Sequence, residues 1–590
     1  MASLSMMATA CSMQGAADSA SGPSVNTAPT GPPFTLSGSI TYEYVPAIQV
    51  GLSGGKIDYT QKATKPARRI VVQAISNGFV EGESSTDDNG DFVLPVPTGR
   101  AVQVRALAKV YSTNYTSDGI GSDNCNGSSW DVRVVDNTAS RAQWSVTGST
   151  SYQADTSSIA LNAPLTFSSG TYSSRAAAPF AIADTVVSEL EMVCQGQAAI
   201  AFPTVYINWS PNNVAATRNG SLDVANGYIS TSFYSMTNAG HELYILGKAN
   251  SDTDEYDSHV IAHEFGHYIE SALFRSDSIG GSHGSGDSLD PRVAFGEGYG
   301  NALSGMTFKD PVYVDTSGTS QASGFNIDVS AAPTGDDRGH YSETSVQYFL
   351  WSLWDARDGS ANSGSFDRIF NIMKNYQRLT PAFTSVQSFA SYYNQVYGRS
   401  SEGLETLWSG TTNLGLPFDS LCAGTCPGSA ATADPYDSDN DIGELFKSGV
   451  STARKYPEGS TAYAKAFWTL APLLVSGTQG GTAHETMVSD GSTYPYNKLG
   501  YVRWYRYVGT GAAVTIRVTS PVSSAGGCST ADLMDMAVYH KGDLITSDEA
   551  ASGSTAGCPA VSFQATSGEV YMIEIDGFYS VTSFNIQVTP

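Results

Sequence analysis

Apolar positions along most of this chain recur every second residue, and in a smaller part they recur at helical spacing. Phe34-Thr-Leu-Ser-Gly-Ser-Ile-Thr-Tyr, Arg69-Ile-Val-Val-Gln-Ala, Asp91-Phe-Val-Leu-Pro-Val and Val102-Gln-Val-Arg-Ala-Leu-Ala have the period of half-buried strands, with a turn signal at Thr86-Asp-Asp-Asn-Gly90. From about Arg175 the pattern changes. Phe180 to Val193 predicts a helix. Thr204-Val-Tyr-Ile-Asn-Trp, Gly227-Tyr-Ile-Ser-Thr-Ser-Phe-Tyr and Glu242-Leu-Tyr-Ile-Leu-Gly predict strands. In 259–270, at about 100° per residue, Ile261, Phe265, Tyr268 and Ile269 share one arc and His263 and His267 the opposite one. That helix is expected to bury one face and turn the other to a cleft. Further helices follow around Val346–Trp354, Ile369–Met373 and Phe389–Tyr393. After 427 the strand period returns at Tyr501-Val-Arg-Trp-Tyr-Arg-Tyr-Val, Ala513-Val-Thr-Ile-Arg-Val, Met536-Ala-Val-Tyr and Val570-Tyr-Met-Ile-Glu-Ile.

At 590 residues the chain is too long for one ordinary core. A net charge of −25 argues against nucleic acid and anionic membrane surfaces as partners. The low charged fraction and the wealth of Gly, Ser, Thr and Tyr fit a secreted, β-rich protein. No apolar run reaches the length of a membrane span. Proximity along the chain suggests the pairs Cys125–Cys194, Cys422–Cys426 and Cys528–Cys558 and leaves Cys11 over, although sequence alone does not fix connectivity. Ala8-Thr-Ala10 before Cys11 resembles the end of a bacterial lipoprotein signal. That resemblance implies a lipidated Cys11 and a tether to a cell surface.

The chemistry gathers at His263-Glu264-Phe-Gly-His267. Two His four apart on a helix stand about 6 Å apart along its axis, so both rings can reach one metal ion. Glu264 flanks the same side, able to touch a water without binding the metal. A catalytic zinc takes three protein ligands and keeps one position open. The extended His-x-x-Gly-x-x-His form is absent, because Glu270 and Leu273 stand where Gly and His are needed. Glu297, in Phe295-Gly-Glu-Gly-Tyr-Gly-Asn301, is the preferred third ligand. Glu270, His283, Asp287 and Asp290 are its rivals. Asn301 shares the helix face of Glu297 and could hold a ligand His by its other ring nitrogen. Asp252, Asp254, Glu255 and Asp257 precede the metal helix. They suit a helix start by capping and dipole, and a calcium site is the sharper alternative. Asp437, Asp439 and Asp441 alternate as in a calcium loop, but Ile442 sits where that loop needs Gly.

His263-Glu-x-x-His267 followed by Gly-Glu297-Gly-Tyr resembles the gluzincin, or thermolysin-like, metallopeptidases, and among them the fungalysin-type and related bacterial secreted branches. The resemblance spans about residues 170 to 420. It implies a multidomain α+β protein whose two-lobed peptidase domain, 166–426, carries Zn²⁺ on His263, His267 and Glu297. It also implies Glu264 as general base, and an oxyanion donor from the second lobe, His340 or Tyr341. Asn301 departs from the clan, which often has Asp there, and so adds no negative charge behind the ligand. Residues 34–165 resemble a transthyretin-like β-sandwich with its linker, and 427–590 a linker and the β-sandwich pre-peptidase C-terminal domain. Residues 1–33 read as signal and tether.

The function expected is that of a secreted zinc endopeptidase acting as a monomer on protein or peptide substrates. The rival is a surface-binding protein with a vestigial metallopeptidase fold. An intact Glu264 argues against it, since a structural metal site needs no base. An exopeptidase would need a motif for the substrate amino terminus, and none is recognisable.

Overall fold

The computed structural model describes residues 31–116, 123–284, 286–287, 289–334, 339–356, 364–398, 400–404 and 406–408, and in the C-terminal part 473–474, 476–481, 497–498, 502–519, 534–548, 559–577 and 584–590. It is a mixed α+β architecture of several sheets and two groups of helices.

A nine-stranded sheet organises the first 408 residues. Its path uses β1 (Ile70–Ser76), β2 (Phe79–Ser85), β3 (Gln103–Ser112), β4 (Trp130–Asp136), β5 (Val205–Trp209), β6 (Phe233–Thr237) and β7 (Gly240–Ile245), in the order β6-β7-β5-β4-β3-β1-β2. The strand period is clear in β3, where Val104, Ala106, Ala108 and Val110 are buried and their neighbours are not. β5 lies parallel to both β4 and β7, and β6 closes the sheet as an antiparallel edge.

This sheet runs across the expected division at 165/166. β4 belongs to the supposed first module and β5 to the supposed peptidase domain, yet they are neighbours in register, Val205 opposite Val132. One hydrophobic core runs from Phe34 to Trp408. A smaller sheet around Phe34–Tyr44 joins it on the amino-terminal side. The strand expected from Gly227 starts later than its pattern. Gly227 (φ 82°) and Ser230 (φ 68°) are left-handed, which breaks an extended run, so β6 begins at Phe233.

The helix α1 (Ala178–Cys194) packs across the sheet, with Pro179 in its first turn. Arg68 bonds Asp184, and Arg69 bridges Asp88 and Glu191. The expected Cys125–Cys194 disulfide forms at the end of α1. Cys11, Cys422, Cys426, Cys528 and Cys558 lie outside the described residues, as do Asp437, Asp439 and Asp441.

Two helices carry the chemistry, α2 (Ser258–Leu273) and α3 (Pro291–Phe308). On α2 the predicted face is buried: Ile261, Phe265, Tyr268 and Ile269 have no exposed surface. The second helical group is α4 (Glu343–Asp355), α5 (Asp367–Asn375) and α6 (Val386–Tyr397). Before α3's partner helices, a small sheet includes β8 (Asp252–Thr253), β9 (Val312–Ser317) and β10 (Ser323–Asp328).

The C-terminal part holds two sheets around a core of its own, which includes Tyr505, Ile516, Val538, Ile573 and Val588. Its strands β11 (Val502–Val508), β12 (Met534–His540) and β13 (Val570–Gly577) lie in one sheet. That sheet meets the helical group through Phe383, which packs with Val502, Trp504 and Met572. Among the described residues no helix is long and apolar enough to cross a membrane.

Candidate metal centre

α2 and α3 cross closely because glycines face each other there. A Cβ on Gly266 would lie 3.4 Å from the Cα of Gly300. One on Gly300 would come within 2.9 Å of His263 Nδ1, and one on Gly298 within 2.5 Å of Val346 Cβ. The Gly-x-Gly-x-Gly run around Glu297 thus lets α3 approach the His263 ring on one side and α4 on the other.

The approach brings three ligand atoms together. His263 Nε2 lies 3.1 Å from His267 Nε2, and Glu297 Oε2 lies 3.2 Å from the first and 3.4 Å from the second. All three residues offer atoms within 4.8 Å of one another. Of the rivals for third ligand, none joins this group. Asp287 is paired with Lys498 and Asp290 with Arg292. Glu270 is buried at the far end of α2, and burial pushes its carboxyl up to about 7.

Asn301 sits where the sequence suggested. Its Nδ2 donates to Glu343 Oε1 (2.8 Å) and Gln347 Oε1 (3.0 Å), which turns its Oδ1 towards His263 Nδ1 at 2.8 Å. An amide oxygen only accepts, so Nδ1 carries the proton and Nε2 presents its lone pair to the centre. The negative charge missing at Asn301 stands one residue further out, on Glu343. The sequence reading missed Glu343 and Gln347. Their spacing of one helical turn at the start of α4 was a usable signal.

Glu264 is turned to the edge of the sheet, where its Oε2 accepts the Tyr234 N–H of β6 at 2.8 Å. Burial raises its pKa and Glu297 adds to the rise, against the pull of His263 and His267. Burial lowers that of His267, but Glu297 outweighs it and brings the ring up to about 9. The carboxyl of Glu297 is held well below its usual range: burial raises it, and His267 and His283 overcome that.

His283 comes to the same carboxylate from the loop between α2 and α3. Its Nε2 is 3.3 Å from Glu297 Oε2 and 3.8 Å from Glu343 Oε2. Its Nδ1 lies 3.1 Å from the Gly281 carbonyl, which can only accept. Burial lowers its pKa, and Glu297 raises it to about 10. It is outside the group of three mutually close ligands. His340 and Tyr341 precede α4 with 0% and 2% of their surface exposed, and the Tyr341 carbonyl accepts the Leu289 N–H. Burial takes the His340 ring down to about 3, so it is neutral.

The acidic run before α2 does not cap it as expected. Asp257 occupies the N-cap position, but its carboxylate accepts the Thr316 N–H (2.7 Å) and hydroxyl instead of an α2 amide. Glu255 pairs with Arg175. Asp252, Asp254 and Asp315 bring their carboxylates within 4.8 Å of one another.

Residues 205–414 match the family model of the mycolysin C-terminal domain. The match covers well under half of the chain but contains every residue of the centre, and it associates this region with peptidases. No curated protein matches the chain. Among solved structures it is similar to the pre-peptidase C-terminal domain of a collagenase from Bacillus anthracis, at 11% identity and a TM-score of 0.14, over 20% of this chain and 93% of that one. It is also similar to a 9R-lipoxygenase from Cyanothece PCC8801, at 10% identity and a TM-score of 0.13, over 29% of this chain and 25% of that one. Neither similarity bears on function at these scores.

Proposed function

We propose that the chain is a secreted zinc-dependent endopeptidase of the gluzincin type. The observation that carries this reading is the convergence of His263, His267 and Glu297, with the Glu264 carboxylate beside them against an edge strand. Two imidazole nitrogens and one carboxylate oxygen are the donor set of a catalytic zinc. Bound there, zinc supplies a Lewis acid that polarises a carbonyl and brings a water's pKa towards neutrality.

The remaining work falls to the chain itself. β6 offers its free edge to an extended substrate, which adds a strand by main-chain hydrogen bonds. Glu264 takes the proton of the attacking water and passes it to the leaving amine nitrogen. A carboxyl raised by burial is suited to both halves of that transfer. His283, 3.3 Å from Glu297, takes the place expected of His340 or Tyr341 as hydrogen-bond donor to the oxyanion. Those two are enclosed, and the side chain of His283 keeps 27% of its surface. The disulfide at Cys125–Cys194 supports an oxidising compartment. A lipid on Cys11 would hold the enzyme at a cell surface.

The test is Glu264→Gln with a quenched peptide and denatured casein. The variant is expected to keep one zinc per chain and lose hydrolysis by at least about a hundredfold. Equal activity in variant and parent would remove Glu264 from the mechanism. A zinc-loaded parent that cleaves neither substrate would favour a binding protein. In the same assay His283→Ala should lose about a hundred- to a thousandfold in kcat, and His340→Ala much less.

A further inference from the structure

The loop that carries His283 has a sequence that would not hold one position unaided. Residues 278–286 read Ser-Ile-Gly-Gly-Ser-His-Gly-Ser-Gly, and Gly280, Gly281 and Gly286 adopt positive φ. Fixing such a stretch is entropically expensive. The residues just before it are tied to the helical group: Arg275 donates to the carbonyls of Thr380 (2.7 Å) and Ala382 (2.8 Å), and the Thr384 N–H donates to Asp277 (2.8 Å).

The part around His283 is tied down from more than two hundred residues away. Asn497 Nδ2 donates to the carbonyls of Gly280 and Ser282, both at 3.1 Å. Lys498 Nζ donates to the Ser282 carbonyl at 3.0 Å and to Asp287 at 2.8 Å. The Asn497 carbonyl accepts the Asp290 N–H at 2.8 Å, and Lys498 pairs with Leu289 in an isolated antiparallel bridge. Asn497 is 0% and Lys498 3% exposed. A buried ammonium and a buried amide are costly unless bonded, and here their bonds go to two carbonyls before His283 and to the Asp287 carboxylate after it. Directly after Asp290, the first turn of α3 packs on the same C-terminal part. Arg292 is 2% exposed, bonded to Asp290 and 3.4 Å from Glu574, with its guanidinium over Trp504 (4.6 Å).

We propose that Asn497 and Lys498 are positioning residues for His283, so that the C-terminal part of the chain completes the active site. This rests on the peptidase reading only for its effect on rate. A Lys498→Met substitution keeps the side-chain stem and removes the charge. The Ser282 carbonyl then keeps only Asn497 as a side-chain donor and Asp287 keeps only the Gly284 N–H, so the clamp loses its charged half and the loop is loosened. A displacement of about 1 Å at a group that acts in the transition state costs about a hundredfold.

The experiment uses the full zinc-loaded chain. Lys498→Met, Lys498→Arg, Asn497→Asp, His283→Ala and the double variant His283→Ala/Lys498→Met are compared with a solvent-facing control, Thr515→Ala. Metal content, kcat and KM on a quenched peptide, and amide hydrogen exchange across 276–284 are measured for each. Lys498→Met is expected to keep its zinc, to lose about ten- to a hundredfold in kcat with KM within about twofold, and to exchange faster across the loop. Lys498→Arg should regain most of the rate. The double variant should be no slower than His283→Ala alone. Asn497→Asp cannot donate to the two carbonyls and should repeat the pattern if Lys498→Met does not fold. Wild-type kcat in Lys498→Met, or a loss that multiplies with that of His283→Ala, would overturn the proposal. Should the parent chain hydrolyse nothing, the peptidase reading fails and exchange alone decides: faster exchange in Lys498→Met upholds the clamp, and unchanged exchange rejects it.

Discussion

The His263 ring is held from behind by two neighbours on α3, and each makes a prediction. A methyl group on Gly300 would meet the ring at 2.9 to 3.2 Å on three atoms, so Gly300→Ala must push His263 or part the helices. The Asn301 bond to Nδ1 would be lost with either movement. Losing such a support typically lowers metal affinity by about ten- to a hundredfold, and that loss is expected for Gly300→Ala in competition with a chromophoric chelator. Asn301→Asp introduces the carboxylate that the gluzincin resemblance leads one to expect, yet it should also weaken zinc here. Asn301 now donates to Glu343 at 2.8 Å and to Gln347 at 3.0 Å. An aspartate would set two carboxylates against each other and leave Gln347 without its donor. Tighter zinc in that variant would show that the charge on Glu343 does not serve His263. The convergence of His263, His267 and Glu297 could be read from the sequence because their spacing is fixed by one helix and one motif. Glu343 and His283 could not be ranked, because their roles depend on how loops and helices far apart in sequence are packed.

The segment just before α2 is where a single element governs two others. Asp254 accepts the hydroxyl of Ser232, next to β6, and Asp257 is tied to Thr316 on β9 while it stands at the start of α2. Among the described residues no cation pairs with Asp252, Asp254, Asp257 or Asp315. Burial raises all four carboxyls, Asp252 to about 6 and Asp315, with Asp252 beside it, to about 7. A carboxyl whose native pKa is raised binds its proton more tightly when folded. Its stabilising effect is complete below the unfolded value of 3.8 and is lost as pH rises through 6 and 7. Zinc-loaded protein freed of other metals should therefore melt at lower temperature at pH 8 than at pH 5. Millimolar calcium, a hard cation suited to carboxylate oxygens, should remove most of that difference if it binds the Asp252, Asp254 and Asp315 group. A melting temperature flat in pH and blind to calcium would reject both statements. The acidic run was visible in the sequence, but capping was the wrong function to give it. Which partner a carboxylate at an N-cap position chooses depends on β9, which lies more than fifty residues downstream.

At the scale of the whole molecule, the strand periods of residues 34–165 were legible and their membership was not. Alternation shows that a strand has one buried face, but not which sheet supplies its neighbour. Here β4 separates β3 from β5, so strands contributed before residue 165 form the middle and one whole side of the sheet that supports α2. Arg68 and Arg69 tie the same segment to α1, and Cys125 is bonded to Cys194 within it. Removing 34–165 would expose an edge of β5 and strip the core side of α1, and the large buried surface lost could not be recovered by rearrangement. Residues 34–165 are therefore expected to remain in the active enzyme and not to leave as a propeptide. Intact mass and non-reducing electrophoresis of purified, active material check this. The active species should contain residues 34–165, and a nick between Cys125 and Cys194 should leave the fragments joined until the disulfide is reduced. An active species that starts after residue 165 would mean that β5 to β7 and the helices fold without β4, and the shared sheet would then not be what holds the metal helix in place.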